Sequence, residues 1–289
     1  MNLSKVIMVV VAACFLSAGA SAQVVVRITQ GEGELKREPI DDVLITVEYE
    51  MSYVADTSKR DKPEKEMMML KIGRRTSSFY SYARFVADSV MKALQASGAS
   101  METMGEQMAK YQSRISYQIY KNHPQGKVTT LDELAAGRYR CEEANEAPQW
   151  ELTDETATIL SYPCRKATCS FKGRDYEAWF TTDIPRSEGP WKLQGLPGLI
   201  LRAQDARREY AFECVALVQE KGDAKIMYGD KGYEPVSRKD LNRLFERFAA
   251  DPIGYIQSTS PNVNVHFRNE AGESIRPKNT PYNPIELEQ

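Results

Sequence analysis

The sequence has few of the residues that most often build catalytic or metal centres. Its two histidines, His123 and His266, lie far apart and make no metal-ligand spacing. It has no Gly-x-Ser-x-Gly nucleophile motif, no His-Glu-x-x-His zinc motif and no phosphate-binding Gly-x-x-x-x-Gly-Lys-Ser/Thr loop. We therefore expect a non-enzymatic protein without a cofactor or metal. An enzyme would require a pocket that gathers Glu177, Asp183 or Glu213 with a perturbed partner.

Long apolar runs and blocks of like charge are also missing. Beyond the first 22 residues, nothing approaches the ~20 consecutive apolar residues that a membrane helix needs. The 38 basic and 40 acidic residues are interspersed along the chain. This pattern argues against a transmembrane segment and against nucleic acid or an anionic membrane surface as partner.

Residues 1–22 have the three parts of a signal peptide. Lys5 supplies the positive charge, Val6 to Leu16 form the apolar centre, and Ala20-Ser21-Ala22 is a small-x-small cleavage site. The mature protein would then be exported to the periplasm, the cell surface or the medium. Alternatively, Val11-Ala12-Ala13-Cys14 is a lipobox and Cys14 carries a lipid anchor, although the apolar centre would then be unusually short.

The mature chain keeps an even number of cysteines, which in an oxidising compartment favours disulfide bonds. The candidates are Cys141, Cys164, Cys169 and Cys214. Cys164 and Cys169 are five positions apart on one predicted strand, so their side chains should point to opposite faces and cannot bridge each other. Their partners would come from Cys141 and Cys214, in an order that the sequence leaves open.

Most of the chain has the period-two alternation of β-strands. Residues 43–54 alternate apolar and polar side chains over six repeats, and residues 67–72 read as the returning strand. Two hairpins are predicted in the centre, one from Tyr162 to Thr181 around the turn Lys172-Gly173-Arg174-Asp175 and one that begins after residue 198. We interpret residues 138–148 as irregular and Asp154-Glu155 as a turn.

Two stretches change to helical periodicity. Residues 83–111 carry apolar side chains at spacings of three, four and seven, interrupted at 97–100, so one kinked helix or two helices fit. Residues 237–250 begin with the capping pair Ser237 and Asp240 and end at Asp251-Pro252. Met101, Met104 and Met108 share one face and could bind Cu(I), but flexible packing is the simpler interpretation.

The most distinctive stretch is Gly195-Leu196-Pro197-Gly198-Leu199-Ile200. Pro197 and Gly198 fit the second and third positions of a type II turn, in which Gly198 would take a positive φ. A turn that fixes hairpin register explains these residues without a ligand. The alternative is a binding loop that offers backbone N–H groups to a partner.

The hexapeptide and several separate stretches resemble the GLPGLI family, secreted Bacteroidetes proteins of undefined role. The other stretches are Tyr162 to Ala167, Trp179-Phe180-Thr181, Ile184-Pro185, Gly189-Pro190-Trp191 and Pro281 to Leu287. The resemblance implies export and a β-rich body, and it transfers no catalytic residue. Cys169 and the methionine-rich insertion have no counterpart in the family pattern.

These observations predict a single, mainly β domain over residues 23–289. We expect a curved antiparallel sheet, half-barrel or open-barrel-like, with two helical insertions. By analogy with such half-barrels, it would be a binding module whose apolar groove takes a lipid, lipoprotein or other hydrophobic ligand. The expected binding residues are Trp179, Phe180, Trp191, Gly195, Leu196, Pro197 and Gly198. The alternative is a protein-interaction module that docks on an outer-membrane assembly through the signature turn.

Overall fold

The computed structural model describes residues 6–10, 25–29, 37–111, 113–259, 267–268, 274–275 and 279–287. The expected cleavage site at 20–22, Cys14 and His266 lie outside the described residues. Within them, the chain is mainly β, with four helices. The helices are α1 (Tyr82–Ala96), α2 (Met101–Met108), α3 (Arg238–Ala250) and α4 (Pro252–Thr259).

The strands span most of the chain. They are β1 (Val6–Val10), β2 (Val25–Thr29), β3 (Glu38–Asp42), β4 (Ile45–Tyr53), β5 (Glu64–Ile72), β6 (Ser77–Ser81), β7 (Gln118–Lys121), β8 (Lys127–Leu134), β9 (Gly137–Ala144), β10 (Glu151–Ile159), β11 (Tyr162–Phe171), β12 (Arg174–Thr181), β13 (Leu199–Asp205), β14 (Tyr210–Gln219), β15 (Lys225–Tyr228), β16 (Glu234–Val236), β17 (Phe267–Arg268) and β18 (Ser274–Ile275).

One large sheet of twelve strands organises the fold. Its order is β10-β11-β12-β13-β14-β4-β5-β6-β7-β8-β9-β16. Neighbouring strands are antiparallel except for β16, which lies parallel to β9 and makes the sheet mixed. In the described residues, β10 and β16 are the two ends of this order and do not pair with each other. The prediction of a mainly β protein is confirmed in this form, without a closed barrel.

The central strand β4 forms where the sequence alternates most regularly. Val47, Tyr49 and Met51 are fully buried on one face, while Glu48 and Glu50 between them are only partly buried. β4 pairs with β5 on one side and with β14 on the other, so strands distant in sequence meet at the core. This core extends through β11, β12 and β13 and includes Ala178, Leu201 and Phe212.

Both predicted hairpins are present. The two residues that join β11 to β12, Lys172 and Gly173, each have a positive φ, as the twist of a two-residue hairpin requires. β13 and β14 form the second hairpin, which follows the signature hexapeptide.

The helical stretches are also present, with more helices than predicted. The interruption at 97–100 separates α1 from α2, and Ser81 and Ser100 cap their N-termini. Ser237 caps α3 by accepting a hydrogen bond from the backbone N–H of Asp240. Pro252 ends α3 but also begins α4, because proline is well tolerated in the first turn of a helix.

Two predictions for the polar middle of the chain are wrong. Only residues 145–148 of the stretch 138–148 are irregular, because β9 covers Gly137–Ala144 and buries Tyr139 and Cys141 against α3. Asp154-Glu155 is not a turn but lies inside β10, where pairing with β11 shifts register between Leu152 and Thr156. β10 is an edge strand exposed along most of its length, so it lacks the apolar alternation that marks a buried strand.

Candidate functional site

Residues 182–198, here called the signature segment, connect β12 to β13 and pack into the main core. Trp191 is only 1% exposed, and Leu193 and Leu196 are equally buried. The Trp191 ring lies 6.0 Å from the ring of Tyr176 on β12 and 5.8 Å from that of Phe171 on β11. The segment therefore occupies apolar space beside the sheet.

The signature turn differs from the predicted type II geometry. Gly198 does not take a positive φ, whereas Gly195, with φ of 97°, and Trp191, with φ of 52°, do. Gly198 is required for a different reason, since a Cβ there would lie 2.0 Å from the carbonyl oxygen of Thr181. The two ends of the signature segment thus approach each other too closely for any side chain at position 198.

Buried ion pairs hold the signature segment. Lys121 Nζ on β7 lies 2.6 Å from a carboxylate oxygen of Glu188. Lys192 Nζ lies 2.5 Å from Glu143 on β9 and 2.7 Å from Glu286 in the C-terminal tail. Burial alone would raise the pKa of Glu143, but Lys192 and Arg238 outweigh it and lower that pKa to about 2. The carboxylate therefore stays ionised within this network.

The C-terminal tail is tied to the sheet by Arg174 at the start of β12. Its guanidinium donates to Oδ1 of Asn283 at 2.9 Å and to the carbonyl oxygens of Pro284 and Ile285 at 2.7 and 3.0 Å. The same side chain pairs with the buried carboxylates of Asp205 and Glu209. The described residues of the tail, 279–287, lack regular structure, as predicted, yet Arg174 holds them in place.

The residues expected to bind a ligand fall into three environments. Phe180, Trp191, Leu196 and Gly198 are buried, Gly195 and Pro197 are exposed, and Trp179 is half-buried. Trp179 packs against the edge of the main core, and Lys166 Nζ lies 5.7 Å from the centroid of its indole ring. The structure therefore does not gather these residues around one open groove.

The four cysteines of the described region are free and buried, which corrects the expected disulfide bonds. Cys141 lies in a smaller cluster beside α3, while the other three belong to the main core. Burial raises the pKa of Cys169 and of Cys214 to about 12. Because the thiolate is the reactive form, these thiols are poor nucleophiles.

An open cavity of about 730 Å³ lies at the end of strands β10 to β13. Its lining residues are Gln149, Glu151, Thr168, Cys169, Ser170, Asp175, Tyr176, Glu177, Gln204, Asp205, Ala206 and Arg208. Cys169, Tyr176 and Asp205 are buried, while Glu151, Ser170 and Arg208 are exposed. The cavity thus has buried residues and an accessible polar rim. Its volume falls in the range of small-molecule sites.

Glu177 is held by polar partners on both neighbouring strands. Gln204 Nε2 on β13 donates to Oε1 of Glu177 at 2.5 Å. Lys166 Nζ on β11 lies 3.0 Å from Oε2 of Glu177 and also pairs with Glu155. Partial burial pushes the pKa of Glu177 upward, but the hydrogen bonds from Lys166 and Gln204 dominate and lower it. Glu177 is therefore an ionised acceptor and a poor general acid.

Tyr176 is the one buried lining residue with an unsatisfied side-chain oxygen among those described. It is 2% exposed, and its hydroxyl has no hydrogen-bond partner. A buried hydroxyl without a partner is unfavourable, so structures normally satisfy it with protein, water or ligand. The Tyr176 ring packs against Trp191 in the main core, and the adjacent Glu177 projects from the opposite face of β12, so this hydroxyl lies on the core side of the strand.

Sequence reasoning missed most of this cavity. Of the three carboxylates considered for catalysis, Glu177 lines it, whereas Asp183 and Glu213 do not. Glu213 instead pairs with Arg202. The sequence did contain one indication of the cavity, because polar residues alternate along the strands of the central hairpins. These residues share one face of the sheet, but only the strand register brings them together: Lys166, Thr168, Glu177 and Gln204.

The other candidate chemistry finds no support in the described residues. They contain no group of three or more His, Cys, Asp or Glu side chains placed to hold a metal ion. Met101, Met104 and Met108 lie on α2, which buries none of its residues. His123 packs against Tyr228, with ring centroids 4.4 Å apart. No helix in this part of the chain is long and apolar enough to cross a membrane.

Comparison with known proteins gives a partial family match. No curated protein matches the chain. Two crystal structures of PNGF-II, in space groups P21 and C2, align with TM-scores of 0.47 and 0.45, at 14% and 15% identity. They cover 70% and 69% of this chain, which spans about a third (32%) of the PNGF-II chain. A family model described as "Protein of unknown function (Porph_ging)" matches residues 170–202, from the end of β11 through the signature segment into β13.

Proposed function

We propose that the protein is an exported, non-enzymatic binding module whose ligand occupies the polar cavity at β10 to β13. The observation that carries the proposal is the cavity itself, whose polar wall includes the fixed carboxylate of Glu177. Residues on adjacent strands hold their geometry better than residues on loops. Such a site binds without large rearrangement.

The apolar groove expected from the sequence would need the space that the signature segment fills. Strong curvature of the sheet is supported by Phe79 on β6 and Phe212 on β14, whose ring centroids are 6.1 Å apart. These strands are three positions apart in the sheet order, which would separate them by about 14 Å if the sheet were flat. Because a half-barrel of this kind already encloses its own signature segment, a polar ligand is a better candidate than a lipid.

The chemistry of the cavity supports a non-enzymatic role. Glu177 is ionised and paired, and burial keeps the Cys169 thiol protonated. The described lining residues include no histidine that could act as a base. Export is supported by the signal-peptide pattern of residues 1–22, and cell fractionation with N-terminal sequencing of the mature protein would test it.

A protein-interaction module is the second candidate function. Among the described residues, β10 pairs only with β11, and it exposes Leu152 and, just beyond its end, Leu160. Such an edge can accept an added strand from a partner. Gly195 and Pro197 are the exposed residues of the signature hexapeptide, so docking through the signature would have to use them.

The proposed site can be tested by blocking it. Ser170 lines the cavity and is exposed, so Ser170→Trp should fill the rim at little cost to folding. Ser89→Trp on exposed α1 is the matched control. In a thermal-shift screen of polar metabolites and apolar dyes, polar hits lost only in Ser170→Trp would support the cavity. The proposed site would be refuted if no polar metabolite bound and if Ser170→Trp left the uptake of the apolar dyes unchanged.

A further inference from the structure

We propose that the C-terminal tail is a built-in peptide ligand, and that the site which holds it can accept the tail of a second copy of this chain. The tail-binding site consists of the carbonyl group of Val54 and the side chains of Arg174, Lys192, Tyr210 and Arg238. This inference goes beyond the proposed function and does not rest on ligand binding in the cavity.

The tail-binding site recognises the main chain of the tail, as peptide-binding sites do. Arg174 donates hydrogen bonds to the carbonyl oxygens of Pro284 and Ile285 at 2.7 and 3.0 Å. The hydroxyl of Tyr210 donates to the carbonyl oxygen of Asn283 at 2.6 Å. Three successive carbonyl groups are therefore bound by side chains, although this part of the tail belongs to no helix or strand.

The site also distinguishes the side chain at position 283. Oδ1 of Asn283 accepts a hydrogen bond from Arg174 at 2.9 Å, and Nδ2 donates one to the carbonyl oxygen of Val54 at 2.8 Å. An aspartate could accept from Arg174 but could not donate to Val54, because an ionised carboxylate has no N–H or O–H group. The site therefore favours an amide at this position.

Three positions further along, the site favours a carboxylate. Glu286 is 6% exposed, and its oxygens lie 2.7 Å from Lys192 Nζ and 3.7 Å from Arg238 Nε. Without Glu286, the ion pairs of the described residues would leave these two cations and Lys172 to share the carboxylate of Glu143. The surplus of positive charge selects an acidic residue at this point of a bound peptide.

Other parts of the chain hold the site in place, so its geometry does not depend on the tail. Arg174 forms ion pairs with the buried carboxylates of Asp205 and Glu209 at 3.0 and 2.8 Å. Asp205 also accepts hydrogen bonds from the backbone N–H groups of Glu209 and Tyr210, both at 2.7 Å. A site that is already ordered loses little side-chain freedom when a peptide binds. It should therefore remain competent to bind when its own tail leaves.

The connection between α4 and the tail is long enough to reach a second molecule. Residues 260–266 and 276–279, which flank the paired strands β17 and β18, can together span about 36 Å. The radius of a globular domain of this size is about 24 Å. Exchange of tails between two copies would form every contact again, and such swapping is a low-cost route to a dimer.

The chain's own tail competes strongly for the site. A segment joined to its site by a short linker acts at an effective concentration in the millimolar range. The tail of a second copy should therefore enter only when the copies are concentrated, or when the first tail binds weakly. Both conditions can be set in an experiment.

The first test weakens the chain's own tail and supplies another. In the mature chain, residues 23–289, Asn283→Ala and Glu286→Ala together remove the two recognised side chains and leave the tail-binding site unchanged. By fluorescence anisotropy, a labelled peptide of residues 279–289 should bind this double variant at least about tenfold more tightly than the wild-type chain. The peptide with the same two substitutions should bind neither chain. Leu287→Ala is the matched control, because Leu287 is 38% exposed, and it should behave as the wild-type chain does.

The second test concerns the partner. At about 1 mM, the wild-type mature chain should form dimers in analytical ultracentrifugation, the double variant should stay monomeric, and an excess of the free peptide should dissociate the dimers. If the double variant does not fold, or folds and binds no peptide, the tail is a structural segment and the proposal is overturned. If the peptide binds but the wild-type chain stays monomeric, the second copy is refuted as the partner. Neither failure affects the cavity, which Ser170→Trp tests separately.

Discussion

Replacing Gly198 tests why the signature hexapeptide contains its second glycine. An alanine Cβ at this position would lie 2.0 Å from the carbonyl oxygen of Thr181, 2.7 Å from its carbonyl carbon and 3.1 Å from Cα of Thr182. All three atoms belong to the backbone, so no side chain can rotate to relieve the overlap. Thr181 also pairs with Leu199 in the sheet, which resists separation of β12 from β13.

The size of the effect distinguishes this steric role from a turn role. If Gly198 only supplied a positive φ, alanine would cost about 1 kcal/mol. Removing more than 1 Å of backbone overlap requires β12 and β13 to shift, and overpacking of this kind costs about 3 kcal/mol or more. Because domains of this kind are typically stable by about 5–15 kcal/mol, Gly198→Ala should remove a large share of that stability.

Urea unfolding of the mature protein measures this difference. With a slope near 3 kcal/mol per molar, a loss of about 3 kcal/mol lowers the midpoint by about 1 M. Gly222→Ala is the matched control, because a Cβ there meets nothing within 4 Å and no positive φ is involved. A Gly198→Ala midpoint equal to that of Gly222→Ala would show that the steric argument is wrong.

Three further outcomes follow from the buried groups. Burial raises the pKa of Asp132 to about 6, so this carboxyl destabilises the native state increasingly as the pH rises from about 4 to 6. Asp132→Asn keeps the oxygen that accepts a hydrogen bond from Ser116. This substitution should raise the free energy of unfolding by about 2–3 kcal/mol at pH 7 and leave it unchanged near pH 4. The low pKa of Glu143 has the opposite sign, because its stabilisation is present above about pH 4.5 and is lost as the pH falls towards 2. Glu143→Gln should therefore cost about 2–3 kcal/mol at pH 7 and clearly less at pH 3, and an equal cost at both would contradict the pairing with Lys192 and Arg238. Alkylation of the denatured, unreduced mature chain should modify all four cysteines by mass spectrometry, whereas two or fewer adducts would reveal a disulfide bond.

The regular alternation of residues 43–54 and the turn around Gly173 were enough to predict β4 and the first central hairpin, although Arg174 and Asp175, expected in the turn, already belong to β12. Ser237 likewise marked the start of α3. β10 escaped prediction because an edge strand exposed on both faces has no apolar repeat, and only its pairing with β11 defines it. The sequence thus predicts strands and helices whose own residues show the periodic pattern. It does not predict a strand that forms only because it pairs with another strand.

The same distinction explains the candidate site. Lys166, Glu177 and Gln204 are unremarkable as single residues, because carboxylates and amides on the polar side of a strand are usually solvated. They meet because β11, β12 and β13 pair in a register that places Glu177 opposite Gln204 and beside Lys166. The signature hexapeptide shows the reverse case, in which a conspicuous motif serves packing. Leu196, Leu199 and Ile200 are buried, and Gly198 permits the close approach to Thr181. A substitution in the hexapeptide should therefore act first through the free energy of folding, whereas a substitution on the plain polar face should act through binding alone.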